Sequence, residues 1–299
     1  MRIAVSGASG LIGTALVAEL TGSGHDVLTF VRGNARSASE IRWNPAVPLD
    51  PAVLSGFDAV VHLSGAPIAA RRWTPARKAE LRASRIASTD TLAKAMAATD
   101  PPPGVLLCAS AIGYYGDTGD HVVDEAGPAG SGFLADLVRD WEAAADPARA
   151  AGIRVVNARS GVVLAADGGM LGRLMLPFRL GLGARIGSGR QYFSWISLTD
   201  EIRAIEFALG NELSGPVNLT APEPVTNAEF TRALAKALGR PAAFVLPSVV
   251  LSGALGELAS ELLASSRVVP AKLLDAGFTF RDPDIRTALA TIVAAGLRR

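Results

Sequence analysis

The chain has 299 residues, of which 49% are apolar and 19% are charged, and its formal net charge at pH 7 is +1. This composition excludes an intrinsically disordered chain, because enough apolar surface is present to bury a large core. With 29 basic against 28 acidic side chains, no strong field would attract nucleic acid or an anionic membrane surface, and we expect neither as a partner.

The two longest uncharged stretches, residues 101–116 and 241–256, are broken by Pro, Gly and Ser and are shorter than the ~20 apolar residues of a membrane-spanning helix. The first residues form an apolar run with one charge and do not resemble a signal peptide. A single cysteine, Cys108, excludes an intrachain disulfide. These features predict a cytoplasmic protein that does not cross a membrane.

In chain order, residues 2–6 form an apolar run that predicts a short buried strand, and residues 7–13 (GASGLIG) lead into a helix with apolar side chains on one face. Gly22 and Gly24 end that helix, and residues 26–32 (DVLTFVR) predict a second strand. Together they make a βαβ unit, whose two strands are parallel.

The alternation continues with predicted strands at residues 59–63, 105–110 and 153–159 and predicted helices at 75–98 and 133–150. Five strands that alternate with helices predict an α/β fold with a Rossmann-like, doubly wound parallel sheet.

Beyond Val163 the pattern becomes irregular. A Gly-rich segment at 181–191 precedes a predicted short strand at 192–197 and predicted helices near 199–209 and 227–238. Late, irregular segments of a nucleotide-binding fold often carry its substrate site, and we expect the substrate site here.

The glycines Gly7, Gly10 and Gly13 form a G-x-x-G-x-x-G pattern between the first strand and the first helix. One glycine permits the tight turn, a second lets the backbone approach a pyrophosphate, and a third lets helix and strand pack closely. The start of the helix then receives the negative charge. The pattern predicts a dinucleotide site formed mainly by backbone amides, and an ordinary tight turn is the alternative.

Arg32 follows Gly13 by nineteen residues, at the end of the second predicted strand, and Arg36 follows four residues later. Sites for NAD usually place Asp or Glu here to bind the ribose 2′-hydroxyl, whereas the 2′-phosphate of NADP needs an arginine. The sequence therefore favours NADP over NAD. The alternative is that Arg32 is a solvated charge at the end of a strand.

The glycine turn and residues 58–66 (DAVVHLSGA) resemble the extended short-chain dehydrogenase/reductase superfamily. A narrower resemblance, to the epimerase-family group related to the human 39U short-chain dehydrogenase proteins, is carried by several further segments. They are Arg72 to Thr74, the helix from Arg77 to Arg85, Ser110 to Gly116, Trp141 and Glu142, Arg159 to Leu164, Pro177 to Gly183, Gly187 to Ile196, and the tail with Pro247, Ser265, Arg267, Val268, Pro270 and Gly277 to Phe280.

The resemblance implies a Rossmann-like domain, a bound nicotinamide cofactor and a smaller C-terminal part. We predict an NAD(P)-binding domain at residues 1–165, to which later segments near 199–240 return. A substrate lobe covers residues 166–299, and it includes a family-specific C-terminal domain at about 245–295.

The resemblance also implies cofactor contacts outside the glycine turn. Leu63 and Ser64 line the strand end on the adenosine side, and Glu80 and Arg85 reach the cofactor from the long helix. The alternative for the last two is that they are solvated helix charges, since five positions apart they do not share a face. The candidate cofactor-binding residues are Gly7, Ser9, Gly10, Leu11, Ile12, Gly13, Val31, Arg32, Leu63, Ser64, Gly65, Glu80 and Arg85.

Most members of the superfamily use a Tyr and a Lys four residues later, because the ammonium lowers the pKa of the phenol from its reference value of ~10. Here Phe133 and Leu137 occupy the expected places, and neither carries a proton. Ser110, Tyr114 and Tyr115 remain as candidate catalytic residues. The alternatives are a local backbone hydrogen bond for Ser110 and a packing role for the tyrosines.

Other candidates are weaker. Cys108 lies in an apolar strand and is expected to fill the core. No pair of His or Cys has metal-ligand spacing, and no metal site is expected. Arg179, Arg185 and Arg190 flank the Gly-rich loops, where they either clamp an anionic substrate or are solvated loop charges.

These features predict an NADP-dependent oxidoreductase or an epimerase/dehydratase-like enzyme that acts on a small polar or anionic metabolite. A cofactor-binding sensor or interaction protein without catalysis is the alternative, since the Tyr and Lys pair is missing. The sequence leaves the oligomeric state open, with a homodimer as one alternative.

Overall fold

The computed structural model describes residues 1–297. The first part of the chain contains β1 (Arg2–Ser6), α1 (Leu11–Gly22), β2 (Asp26–Val31), β3 (Glu40–Arg42), β4 (Ala59–His62), α2 (Pro75–Ala97), β5 (Val105–Ala111), β6 (Val122–Val123), α3 (Phe133–Ala143), α4 (Asp146–Ala150) and β7 (Arg154–Ser160). The second part contains β8 (Val162–Ala165), α5 (Gly169–Arg179), β9 (Ala184–Ile186), β10 (Tyr192–Phe193), β11 (Trp195–Ser197), α6 (Leu198–Gly210), β12 (Gly215–Leu219), β13 (Val225–Thr226), α7 (Asn227–Leu238), β14 (Phe244–Leu246), α8 (Ser248–Leu255), α9 (Leu258–Leu263), β15 (Arg267–Val268), α10 (Ala271–Asp275) and α11 (Ile285–Leu297). Two short 3-10 helices, Pro51–Leu54 and Ile112–Tyr115, precede β4 and follow β5.

Seven strands form one sheet in the order β12-β7-β5-β4-β1-β2-β3, and every pairing in it is parallel. The chain builds β1, β2 and β3 outward in one direction and then returns to place β4, β5, β7 and β12 on the other side of β1. The reversal leaves a crevice at the carboxyl ends of β1 and β4, which is where doubly wound sheets bind ligands. The predicted Rossmann-like α/β class is confirmed.

Apolar layers cover both faces of the sheet. On one face, α1 and α6 pack over the strands, with Leu16, Leu107 and Ile205 in one buried cluster. On the other face, α2 and α4 pack over a second cluster that includes Leu106 and Met96. Burial on both faces explains why the central strands are nearly continuous apolar runs in the sequence.

The sheet contains two strands that the sequence patterns do not predict, β3 and β12. β3 is three residues long and has a charged residue at each end, so no apolar run marks it. β12 begins with Gly215 and Pro216, and proline lacks the N–H group that a central strand needs. β12 fits the sheet because it occupies the edge, where proline is tolerated.

Two predicted elements are divided in the structure. The predicted helix at 133–150 is interrupted at Ala144 and Ala145, and Pro147 then stands in the first turn of α4, where its missing N–H costs little. The predicted strand at 192–197 is two strands, because β10 pairs with β13 whereas β11 pairs with β8.

A third apolar cluster holds the C-terminal part together. The fully buried Trp195 lies in it with Phe230 and Leu234 of α7 and Leu289 and Val293 of α11. The residue boundaries predicted for the two parts of the chain stay predictions. Within residues 1–297, no helix combines the length and the apolar character needed to cross a membrane.

Candidate functional site

Gly7 and Gly13, at the end of β1 and the start of α1, are required by the packing of the protein itself. Gly7 has a φ of +74°, and a Cβ atom there would lie 2.6 Å from the carbonyl carbon of Leu63. Gly13 is buried, and a Cβ atom there would overlap the carbonyl oxygen of Gly7. Any side chain at either position therefore displaces backbone.

Gly10 differs, because an added Cβ there would meet one backbone oxygen in a close contact and would not overlap the backbone. It is exposed, its φ of −80° and ψ of 172° are ordinary extended values, and the nearest atom to an added Cβ is the Gly7 oxygen at 3.3 Å. Gly10 is the N-cap of α1, whose first turn has no acidic residue and, within the described chain, no capping side chain. The backbone N–H groups at the start of this helix, among them those of Leu11 and Ile12, are therefore available to an anion.

The ends of β2 and β3 bring arginines to the edge of the crevice. Arg32 directly follows Val31, the last residue of β2, and Arg42 is the register neighbour of Val31 on β3. Both arginines are exposed. The carboxylate of Glu40, at the other end of β3, accepts the backbone N–H of Arg36 at 2.6 Å. Arg42 thus adds a second positive charge at this edge.

Leu63, Ser64 and Gly65 continue β4 into a loop beside the glycine turn. The Leu63 N–H donates to the Ser6 carbonyl at 3.0 Å, which extends the pairing of β1 and β4 by one residue. The close approach of the Leu63 backbone to Gly7 brings the loop and the turn into contact. The structure therefore brings these predicted residues together at the crevice.

Arg85 and its neighbour Ser84 hold the next residue of this loop, Ala66. The Ala66 N–H donates to the Ser84 hydroxyl at 3.1 Å, and the Ala66 carbonyl accepts from Nη2 of Arg85 at 2.9 Å. The Arg85 guanidinium is buried over the Trp141 ring and forms no ion pair with a described residue. Burial and the nearby charge of Arg77 lower the pKa of Arg85 to about 10. Arg85 is thus a buried cation set against the loop.

Glu80 lies elsewhere on the same helix, as an exposed carboxylate. It forms an ion pair with Nη1 of Arg77 at 2.6 Å. Arg77 also donates to the Pro67 carbonyl, while its buried Nε has no hydrogen-bond partner among the described residues. The structure places Arg85, and not Glu80, against the loop after β4. The predicted contact between Glu80 and a cofactor stays a prediction.

His62, the last residue of β4, hydrogen-bonds to both β1 and α2. Its Nδ1 lies 2.5 Å from the Ser6 hydroxyl and its Nε2 lies 3.0 Å from the Ser88 hydroxyl. The Ser88 hydroxyl donates to the Ser84 carbonyl, so we assign the imidazole proton to Nε2 and the acceptor role to Nδ1. Burial lowers the pKa of His62 to about 3, which keeps it neutral.

Ser110, near the end of β5, is bound to a buried ion pair. Its hydroxyl donates to Glu142 of α3 at 2.5 Å, and Glu142 accepts both Nε and Nη2 of Arg159 at 2.8 Å. Burial alone would lower the pKa of Arg159, but the hydrogen bonds and charge of Glu142 raise it above its usual value. The Ser110 hydroxyl therefore donates its proton within the protein, and its oxygen keeps lone pairs that could accept a hydrogen bond from a ligand.

Tyr114 and Tyr115 flank the Arg159 guanidinium in different ways. The Tyr114 ring stacks on it, with 3.5 Å between Cζ and the ring centroid. The Tyr115 hydroxyl is buried, accepts Nη1 of Arg159 at 2.9 Å and donates to Asn218 at 2.8 Å. Burial raises the pKa of Tyr115, with Arg159 opposing the shift. Tyr115 is therefore tied into the protein, whereas Tyr114 is only partly buried.

Comparison with known proteins shows which family the chain belongs to. Residues 3–219 match the model of the NAD dependent epimerase/dehydratase family. The chain belongs to this family. Residues 246–292 match a separate model, the domain of unknown function DUF1731.

Relatives of the chain extend over its full length. Epimerase family protein MT2273 of Mycobacterium tuberculosis is 53% identical over 290 residues, which cover 96% of each chain. A crystal structure of human epimerase family protein SDR39U1 (isoform 2) with NADPH has a TM-score of 0.90 and 37% identity, and the match covers 98% of this chain and 99% of that one. The nucleoside-diphosphate sugar epimerase of Corynebacterium glutamicum has a TM-score of 0.83 and 36% identity over 99% of this chain and 58% of that one. The predicted epimerase-family resemblance is confirmed.

The positions expected for a Tyr and Lys pair in this superfamily are filled by packed apolar side chains. Leu137 is fully buried in a cluster with Leu81 and Leu258. The Phe133 ring lies against the Trp73 ring at 5.0 Å and under the Lys78 ammonium at 4.8 Å. Neither position offers a proton, so this epimerase-family chain lacks that acid and base at α3.

The remaining predicted groups lie outside the crevice described above. Arg185 braces its own loop by donating to the carbonyls of Gly187 and Ser188, while Arg179 and Arg190 are exposed. Cys108 is buried, and burial raises its pKa to about 12. No group of three or more His, Cys, Asp or Glu side chains that could hold a metal occurs within residues 1–297.

Four residues that shape the site were missed as site residues. Glu142 and Arg159 stand in segments that carry the resemblance, and their opposite charges were the signal that could have paired them. Arg42 was missed together with β3. Asn218 had no local signal, because only the pairing of β12 with β7 brings it to Tyr115.

Proposed function

We propose that this protein binds NADPH across the carboxyl ends of β2, β1, β4 and β5 and acts as an NADP-dependent oxidoreductase or epimerase/dehydratase-like enzyme. The observation that carries the proposal is the exposed Gly10 at the uncapped start of α1, where an added Cβ would have only one backbone oxygen, at 3.3 Å, within 4 Å. A glycine that the protein's own packing requires much less than Gly7 or Gly13, at an anion-binding helix end, is explained by a pyrophosphate that must approach the backbone. Bound NADPH would supply hydride-transfer chemistry at its nicotinamide ring.

The choice of NADPH over NADH rests on the arginines at the other end of the crevice. Arg32 and Arg42 suit the 2′-phosphate of adenosine, because a guanidinium binds phosphate oxygens through paired hydrogen bonds. The crystal structure of human SDR39U1, which contains NADPH, supports the same choice. The substrate we propose is a small polar or anionic metabolite.

Arg32→Ala and Arg42→Ala are each expected to weaken NADPH binding by about 10- to 100-fold, the value of a lost charged hydrogen bond, and to change NADH binding by less than about twofold. Isothermal titration calorimetry with both nucleotides measures the two effects. Arg139→Ala, which removes an exposed arginine of α3, is the matched control. Equal losses for NADPH and NADH would contradict the assignment of the 2′-phosphate.

Tyr114 is the proton donor that we propose for catalysis, since the hydroxyl of Tyr115 is already bound on both sides. Tyr114→Phe is expected to lower turnover by about 10² to 10⁴ and to leave NADPH affinity unchanged. Tyr115→Phe is expected to act mainly on stability, because it leaves Asn218 and one N–H of Arg159 without their buried partner. Turnover on a substrate found by a metabolite screen and thermal unfolding measure the two effects. Full turnover of Tyr114→Phe would remove it as the donor.

A sensor that binds the cofactor without catalysis is the second candidate, and the packed Phe133 and Leu137 favour it. A pooled metabolite screen that follows both NADPH absorbance and the masses and isomers of the metabolites separates the two candidates. An oxidoreductase oxidises the cofactor, an epimerase or dehydratase converts a metabolite with no net change in the cofactor, and a sensor binds the cofactor and does neither. Mass spectrometry of co-purifying ligands tests the substrate class directly. The oligomeric state and the cellular compartment stay predictions.

A further inference from the structure

The loop that begins at the tyrosines has little secondary structure of its own. This tyrosine loop, residues 114–125, contains the end of the 3-10 helix Ile112–Tyr115 and the two-residue strand β6, and Gly116 and Gly119 adopt positive φ values of 63° and 56°. Some of its backbone groups bond within the loop, as the His121 N–H does to the Thr118 carbonyl, and the others need partners elsewhere in the protein. Several of these partners come from a segment within the domain of unknown function, residues 265–269, which we call the clasp.

Ser265 of the clasp uses its backbone and side chain on the tyrosine loop. Its carbonyl accepts the Thr118 N–H at 2.7 Å, and its own N–H donates to the Asp117 carboxylate at 3.1 Å. Its hydroxyl donates to the Gly119 carbonyl at 2.5 Å. One residue of the clasp thus satisfies three successive residues of the loop.

The next clasp residues run alongside the loop as a strand. β15 pairs in parallel with β6, and the Val269 N–H donates to the Val123 carbonyl at 2.9 Å. The Arg267 N–H donates to the Thr118 hydroxyl at 3.0 Å. The clasp therefore follows the loop over most of its length.

The opposite side of the clasp is bound to Tyr192 and Ser194, which lie around strands β10 and β11. The Tyr192 N–H donates to the Ser265 hydroxyl at 3.0 Å, and the Ser266 N–H donates to the Tyr192 carbonyl at 3.1 Å. Ser194 donates to the Ser266 carbonyl at 2.7 Å and accepts the Val268 N–H at 2.9 Å. The clasp therefore lies between the tyrosine loop and residues 192–194 and is hydrogen-bonded to both.

The clasp also reaches the hydroxyl of Tyr115 through one intermediate. Asn218 of β12 donates its side-chain amide to the Val269 carbonyl at 3.0 Å and accepts the Tyr115 hydroxyl at 2.8 Å. The Asn218 backbone N–H donates to Glu125 at 2.9 Å, at the far end of the loop. Asn218, which is bound to the clasp, thus contacts residues near both ends of the tyrosine loop.

The order of the strands in the sheet indicates which half of the proposed cofactor lies near the tyrosine loop and the clasp. Arg32 at β2 marks the adenosine end and the glycine turn at β1 marks the pyrophosphate, so the nicotinamide half extends toward β4 and β5. The tyrosine loop begins within the short 3-10 helix that follows β5. We propose that the clasp is a positioning element for the nicotinamide end of the site, with Ser265 as its central positioning residue.

This proposal rests on the NADPH site of the proposed function, and the two are tested with separate probes. Wild type, Ser265→Ala and the control Ser252→Ala, which changes an exposed serine of α8, are titrated with NADPH and with adenosine 2′,5′-bisphosphate. Ser265→Ala is expected to weaken NADPH binding by about 5- to 10-fold and to leave the bisphosphate, which lacks the nicotinamide, within about twofold. Amides of residues 116–123 are expected to exchange hydrogen at least about 10-fold faster.

Thr118→Val is a second variant that tests the same proposal if Ser265→Ala folds poorly. Thr118→Val removes the hydroxyl that accepts the Arg267 N–H from the loop side, and it is expected to produce the same split between the two probes. An unchanged NADPH affinity in both variants, or equal losses for both probes, would overturn the clasp proposal. If wild type binds neither probe, the proposed function falls and the nicotinamide role of the clasp falls with it.

Discussion

Gly10→Val is expected to leave the protein folded and to weaken NADPH binding by at least about 100-fold. Valine readily adopts the extended backbone angles of Gly10, and its Cβ would lie 3.3 Å from the Gly7 oxygen, a close contact that a shift of a few tenths of an ångström relieves. The added side chain would hold the start of α1 away from the pyrophosphate, whose oxygens need direct contact with backbone N–H groups.

Gly13→Ala provides the contrasting result at the same turn. Its Cβ would overlap the Gly7 carbonyl oxygen inside the protein, and we expect a loss of about 3 kcal/mol in the free energy of unfolding. Calorimetry measures NADPH binding and urea denaturation measures stability for both variants. Wild-type NADPH affinity in a folded Gly10→Val protein would show that the turn has only a structural role.

Glu201→Gln is expected to stabilise the protein by an amount that grows as the pH rises from about 5 to about 8. Glu201 of α6 is 1% exposed, and one carboxylate oxygen accepts the Ser160 hydroxyl at 2.6 Å. The other oxygen has no hydrogen-bond partner in the part of the chain that the structure describes. Burial raises the pKa of Glu201 from 4.5 to about 8.

The stability of wild type depends on pH because its folded and unfolded states bind different numbers of protons. Between the two pKa values the folded protein keeps a proton that the unfolded chain releases, so the stability of wild type falls with rising pH by up to about 1.4 kcal/mol per unit. Below the unfolded pKa both states are protonated, and above the folded pKa both are ionised. Glutamine keeps the shape of the protonated acid and does not titrate, so the variant escapes this loss.

Urea denaturation at several pH values between 4.5 and 8.5 measures the effect. The advantage of Glu201→Gln over wild type should reach about 3 to 5 kcal/mol near pH 8 and shrink toward pH 4.5. Glu212→Gln, an exposed carboxylate after the same helix, should run parallel to wild type. A constant difference between Glu201→Gln and wild type would mean that Glu201 ionises normally in the folded protein.

The parts of the fold and site that were predictable depend on residues close together in the chain. The apolar runs identify the five inner strands, and the glycine spacing together with Arg32 identifies the proposed cofactor crevice. Both signals are local, because burial on two faces and a tight turn each impose residue types on neighbouring positions. β3 and β12 lack such signals, since one is very short and the other begins with Gly215 and Pro216.

The parts that were not predictable depend on pairs far apart in the chain. Ser265 meets Gly119, and Tyr115 meets Asn218, only because the folded sheet and lobe bring them together. Glu201 reads in the sequence as an acidic residue near the start of a helix, a place where such charges are usually solvated and favourable. Its burial comes from the packing of α6 on the sheet and is not visible in the helix itself.

The edge position of β12 determines which backbone N–H and C=O groups are left open at that side of the sheet. β12 begins more than fifty residues after β7 ends. Without β12, β7 would be an outer strand whose open N–H and C=O groups offer a template to any other extended chain. β12 covers that edge and offers fewer open donors itself, because Pro216 has no N–H group and the Asn218 N–H donates to Glu125.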